Sequence, residues 1–274
     1  MKAPHLISAE TLLENLRDYT IVEIAYDPGS YKEWHLPRAV LLHWWNFRHP
    51  VVRDFADRET LGRNLGKVGI SREDRLVLYS DFGNRYAYYA LWLLLSYGHK
   101  EVYVLDGGKV AWEVKGLPME TESFRLPESR YDPDPPDWSN RITVWEILTR
   151  LRTGDLPQLI DARYREEFEG KLSTPPEHPH EEAQTRGHIP GAINVPWNSF
   201  LNDDTEELRP PEEILSHLKE KGIRNEETVV YCRTGARASL VWYYLKYVLG
   251  FKRVRLYDGS WSEWGNMVGM PVEF

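Results

Sequence analysis

A single residue in this 274-residue chain combines a strong nucleophile with a setting that could use it: Cys232, the only cysteine. It opens the segment Cys232-Arg-Thr-Gly-Ala-Arg237. A β-branched run, Thr228-Val-Val-Tyr231, precedes it, and an apolar stretch at helical spacing, residues 238–249, follows and stops at Gly250. A six-residue turn between strand and helix can fold as a cradle, with the N–H groups of 233–237 directed inward. Gly235 permits a backbone conformation that a larger residue resists. Backbone donors at a helix start and two arginines all favour an anion at the centre, whether a thiolate or a bound oxyanion. Cys232 is therefore read as the nucleophile, with Arg233, Thr234, Gly235, Ala236 and Arg237 as the binding loop. A lone cysteine is more often a small buried hydrophobe; the Arg, Thr and Gly around this one argue for chemistry.

Asp161 and Arg163 follow another apolar run, Gln158-Leu-Ile-Asp161, near the same sheet edge, and are read either as a supporting pair that orients the loop or as a structural ion pair that holds the strand-to-loop turn. His188, in His188-Ile-Pro-Gly-Ala192, recurs as His35 in His35-Leu-Pro-Arg-Ala39, and the recurrence argues for a folding role. His178, His180, Glu181 and Glu182 are metal-ligand types, but they stand in a proline-rich insertion with no cysteine nearby, so no metal is expected. Arg186 and Lys171, at the ends of that insertion, are candidates to add positive field.

The elements that must position these groups come in two copies. Residues 76–112 align without a gap on 228–264, with 11 identical positions of 37, among them Tyr79, Gly83, Arg85, Asp106, Gly107 and Trp112. Ser80 stands at the position of Cys232. A repeat of about 150 residues means tandem domains rather than a solenoid. The expected division is a first domain over 1–118, a proline-rich connector over 119–140 and a second domain over 141–274. The alternation of strand and helix predicts an α/β fold in each half, a parallel sheet flanked by helices, with ligands beyond the carboxyl ends of the strands.

Composition narrows the class. The net charge of −8 argues against a dedicated nucleic-acid or anionic-membrane binder, so any anion site must be local. The longest apolar run, residues 87–95, is about half of what a membrane span needs. The start of the chain lacks a signal-peptide core, and one cysteine allows no internal disulfide; both fit a cytoplasmic protein. Of the 11 tryptophans, the repeated pairs Trp44/Trp197 and Trp112/Trp264 read as core.

The Cys232–Arg237 loop, the His188–Ala192 segment and Asp258-Gly-Ser-Trp261, in that tandem layout, resemble the rhodanese family of sulfurtransferases. The resemblance implies two rhodanese-like domains, the first inactive and the second catalytic. It implies that Cys232 takes the outer sulfur of a small-molecule donor as a persulfide and passes it to cyanide or a thiol, with no cofactor. Relatives that use mercaptopyruvate carry small neutral loop residues, so two loop arginines favour thiosulfate. Some thiosulfate enzymes carry a donor-binding Arg where this chain has Glu167, and Arg237 is the expected replacement. Two rivals remain. A cysteine phosphatase has five residues between Cys and Arg; this loop has four. A non-enzymatic persulfide carrier would use the same cysteine.

Overall fold

The β-branched and aliphatic runs form two parallel sheets, each in a separate unit. The computed structural model describes residues 3–174 and 183–274. One unit takes in the chain up to Asp137 together with Leu201–Leu208; the other consists of Trp138–Phe200 and Arg209–Phe274.

In the first unit the strands are β1 (Leu6–Ile7), β2 (Thr20–Ala25), β3 (Val40–His43), β4 (Leu76–Tyr79) and β5 (Val102–Leu105), in the order β1-β5-β4-β2-β3. Every pairing is parallel. Helices α1 (Ala9–Glu14), α2 (Pro28–Glu33), α3 (Arg58–Lys67), α4 (Arg85–Ser96) and α5 (Gly108–Val114) connect them. Local chemistry starts several of these helices: the Asp57 carboxylate accepts the Thr60 N–H at 2.7 Å before α3, and Pro28 opens α2. Helix α4 is apolar on every side and buries 11 of its 12 residues, as a helix hydrophobic all round must. The proline-rich segment after α5 lies along α3, where glycines make room for it. A Cβ at Gly66 would come 2.5 Å from the Ser129 carbonyl oxygen, and one at Gly62 would come 2.7 Å from that of Tyr131. Tyr131 is buried and stacks on His99.

In the second unit the strands are β6 (Gln158–Asp161), β7 (Ala192–Asn194), β8 (Thr228–Tyr231) and β9 (Val254–Leu256), ordered β7-β6-β8-β9 and again all parallel. This order repeats β3-β2-β4-β5 of the first sheet. A lone bridge, Arg141 to Leu256, stands where the first unit has β1. The helices are α6 (Val144–Thr153), α7 (Arg165–Phe168), α8 (Pro211–Glu220), α9 (Ala236–Tyr243) and α10 (Ser260–Trp264). The expected α/β fold, a parallel sheet with flanking helices in each half, is what the chain adopts. Helix α9 starts at Ala236, earlier than the spacing suggested, because Gly235 in the left-handed region turns the strand end straight into a helix. It then widens into a π turn over Tyr244–Val248. Trp44, Trp112, Trp197 and Trp264 are buried, as their repetition suggested; Trp242 and Trp261 join them, whereas Trp45 is 57% exposed.

Candidate active site

Strand order reverses between β6 and β8, the place where open parallel sheets bind ligands beyond their strand ends. Cys232 follows β8 there, and Asp161 and Arg163 follow β6, in register through the pair Asp161–Tyr231. Cys232 is buried, and its N–H donates to Ser260 Oγ at 3.1 Å, while its carbonyl accepts the Trp261 N–H at 3.0 Å. Ser260 in turn donates to the Tyr257 carbonyl at 2.7 Å. The Asp258–Trp261 turn thus fixes the backbone that carries the thiol. Ser260 adopts φ +54°, an uncommon conformation for a residue with a Cβ. Sequence reasoning used this turn only as a motif; its polar residue was the available signal for a contact to the loop.

The rest of the loop is defined by burial. Arg233, Gly235, Ala236 and Arg237 are buried, and Thr234 is the partly exposed member. Gly235, at φ +90°, caps α9. The Arg233 guanidinium donates to the Ser173 carbonyl, and its own carbonyl accepts the Ser262 N–H at 3.0 Å.

Arg237 does not stand with an open guanidinium. Its Nη1 donates to Glu167 Oε2 at 2.6 Å and its Nη2 to Glu167 Oε1 at 3.0 Å, a two-pronged pair with both partners buried. Burial opposes the charge on Arg237, but the Glu167 carboxylate outweighs it and raises the proton affinity of the guanidinium; Cys232 acts in the same sense. Burial likewise opposes ionisation of Glu167, and Arg237 outweighs it, holding that carboxyl below its usual range. The two-cation argument for a doubly charged donor therefore includes one cation whose charge is already answered. The sequence placed Glu167 only as a departure from a family pattern; its partner lies 70 residues away.

Asp161 and Arg163 also form a buried pair. Arg163 Nη2 donates to Asp161 Oδ2 at 2.6 Å and to the Gly187 carbonyl at 2.7 Å, and its guanidinium lies 4.5 Å from the Trp261 ring centre. Burial works against this charge too, and Asp161 more than restores it. The pair ties the end of β6 to the Asp258–Trp261 turn. Arg186 is exposed, with Nη1 donating at 3.5 Å to the Lys171 carbonyl; Lys171 itself pairs with Glu169. His188 stacks on Phe168, with ring centres 3.6 Å apart, and its Nδ1 bonds the Phe168 carbonyl. His35 stacks on Tyr31 and bonds the Tyr31 carbonyl in the same way, so both histidines hold a turn. The segment from His178 to Glu182 lies outside the described residues. Among the described residues no group of three or more His, Cys, Asp or Glu is placed to hold a metal, and no helix is long and apolar enough to cross a membrane.

Comparison with known proteins agrees with this architecture. The family model of the rhodanese-like domain matches twice, over residues 8–115 and 144–267. A Mycobacterium bovis protein named "Putative thiosulfate sulfurtransferase 1" is 38% identical over 98% of this chain and 97% of its own. The Thermus thermophilus "Sulfur carrier protein TtuD" is 39% identical over 97% of this chain and 95% of its own. Among solved structures, the Tum1 protein of Saccharomyces cerevisiae superposes with a TM-score of 0.83 at 23% identity, covering 98% of this chain and 97% of that one. The chain belongs to the rhodanese family of sulfurtransferases, with two rhodanese-like domains in tandem.

Proposed function

We propose that the protein moves the sulfane sulfur of thiosulfate to a thiophilic acceptor, cyanide or a thiol, through a persulfide on Cys232. The observation that carries this reading is the position of Cys232. It is the sole thiol of the chain, at the carboxyl end of β8 and at the head of a loop that turns through Gly235 into α9. The name of the Mycobacterium bovis relative supports it, and that of the Thermus thermophilus sulfur carrier supports sulfur held on the protein.

In the first step the Cys232 thiolate attacks the outer sulfur of thiosulfate. A new S–S bond forms, the bond to the sulfonate sulfur breaks, and its electron pair leaves with sulfite. The persulfide keeps one negative charge, which the donors that favour a thiolate also favour. In the second step cyanide or a thiolate attacks the terminal sulfur, and the Cys232 thiolate returns. In this reading Arg233, Thr234, Gly235, Ala236 and Arg237 form the donor-binding loop. The pair Asp161–Arg163 positions it, and Arg186 stands outside. The first domain, with Ser80 in place of the thiol, is the inactive copy. A single reduced thiol suits a cytoplasmic setting. A phosphatase would turn both guanidinium prongs of its loop arginine toward a phosphoryl group; here Glu167 takes them.

Intact mass after incubation with thiosulfate tests the reading. Cys232 is expected to gain one sulfur atom, and cyanide to remove it as thiocyanate. Loading from mercaptopyruvate alone would change the donor, and loading without turnover on small acceptors would make the protein a carrier. No loading from either donor would overturn the sulfurtransferase reading.

A further inference from the structure

The Arg237–Glu167 pair is placed to control which anions the Cys232 loop accepts. Glu167 is 0% exposed and Arg237 4%. Both guanidinium prongs end on the two carboxylate oxygens, at 2.6 and 3.0 Å. Glu167 is itself fixed by the Tyr164 N–H at 3.2 Å, and Tyr164 also lies against Arg237, its ring centre 5.4 Å from the guanidinium carbon. Arg237 belongs to the loop that Cys232 opens, and Cys232 is among the groups whose charge acts on it. A charge so close to its opposite acts on a third group only through the difference of the two contributions, which is smaller than that of the cation alone. Arg163 is answered by Asp161 in the same manner.

We propose that Glu167 sets the charge selectivity of the Cys232 site: by holding Arg237 and cancelling its charge, it lowers the preference of the site for doubly over singly charged sulfur donors. This rests on the sulfur-transfer reading above and deepens it by naming the donor property that is selected. Glu167 is a positioning residue in this account, acting through Arg237.

The test compares two donors with the same reacting sulfur, thiosulfate with charge −2 and methanethiosulfonate with charge −1. Each gives its outer sulfur to Cys232 and leaves as sulfite or methanesulfinate. The quantity read is the ratio of their second-order loading rate constants. Glu167→Gln exposes the Arg237 charge and is expected to raise the thiosulfate-to-thiosulfonate ratio roughly tenfold, the order of one partly screened unit charge. The double variant Glu167→Gln with Arg237→Gln carries neither charge, leaves no unpaired buried ion, and should keep the wild-type ratio within about twofold. A purely structural role for Glu167 would slow both donors together and leave the ratio of Glu167→Gln unchanged, which would overturn the proposal. A collapse of the ratio in the double variant would also overturn it, because Arg237 would then act as an uncancelled cation in the wild type. The double variant decides the matter even if Glu167→Gln does not fold. Alkylation of Cys232 by iodoacetate and by neutral iodoacetamide reads the same field without sulfur transfer. If neither donor loads the wild type, the functional reading fails, while the alkylation ratio still decides the role of Glu167.

Discussion

Ser80–Arg85 and Cys232–Arg237 occupy the same place in two sheets of the same strand order, and share a glycine and an arginine. They differ in how the backbone is tied. The N–H of Cys232 donates to Ser260 Oγ, from outside the loop. The N–H of Ser80 donates to Asn84 Oδ1 at 2.7 Å, from within the loop itself. Asn84 stands at the position of Ala236, and Gly108 at that of Ser260. Gly108 and Ser260 both adopt left-handed conformations, with φ +53° and +54°. A Cβ at Gly108 would come 2.6 Å from Asn84 Oδ1. The two substitutions are therefore one change: an asparagine inside the loop requires a glycine outside it.

Charge differs in the same direction. The first loop has Asp81 where the second has Arg233, and its Gly83 N–H donates to the Glu206 carboxylate at 2.8 Å. A backbone donor that could face an anion is thus given to a carboxylate of the chain. In the second loop the carboxylate of Glu167 is spent on an arginine side chain instead. The same fold supports either a loop closed on its own groups or one built around a thiol, and a few side chains separate the two.

The largest test of this comparison exchanges the nucleophiles. Cys232→Ser should abolish sulfur loading from thiosulfate, read by intact mass. Adding Ser80→Cys to that variant should not restore loading, because Asp81 and Glu206 disfavour an anion there. Recovery of a persulfide on residue 80 would mean that the thiol alone distinguishes the loops. A smaller effect is expected from the backbone tie. Ser260→Ala leaves the buried Cys232 N–H without its partner, a cost of about 1–3 kcal/mol. The loading rate should fall about tenfold or more, with the fold retained by circular dichroism. A wild-type rate would show that the tie is not needed to aim the thiol.

Much of this was legible before any coordinates. The tandem α/β architecture and the place of Cys232 at the turn from β8 into α9 follow from its flanking runs and the gapless repeat, because local turn chemistry and strand–helix alternation are written in adjacent residues. The partners of the loop were not. Glu167 meets Arg237 across 70 positions and Ser260 meets Cys232 across 28. Such contacts depend on which strands become neighbours, and no spacing rule reports that. The pairing also changed the meaning of a residue the sequence did single out: Arg237 reads as an available cation until its carboxylate is seen. The start of α9 was misplaced by two residues for a local reason, since Gly235 could serve as loop or cap.

The smallest test sharpens the electrostatic contrast between the units. Glu23 lies on β2 at the register position that Asp161 holds on β6, and accepts from Tyr79 at 2.6 Å, with Lys109 3.6 Å away. Burial raises its pKa to about 7, despite the opposing pull of Tyr79 and Lys109. The folded chain then holds a proton that the unfolded chain has lost, between the ordinary value of 4.5 and about 7. The stabilisation is complete below that window, declines as pH rises through it and is gone above it, a change of up to about 3 kcal/mol. Glu167 has the opposite sign: its lowered pKa adds stability that is present above 4.5 and lost as pH falls below it. Amide hydrogen exchange, corrected for intrinsic rates, should show β2 and β4 losing protection from pH 5 to 8. Glu23→Gln should reduce that slope while leaving β6 and β8 unchanged, the remainder coming from Asp106 beside β5, which burial raises to about 6. An unaltered slope in the variant would mean that Glu23 is not the group that titrates in this range.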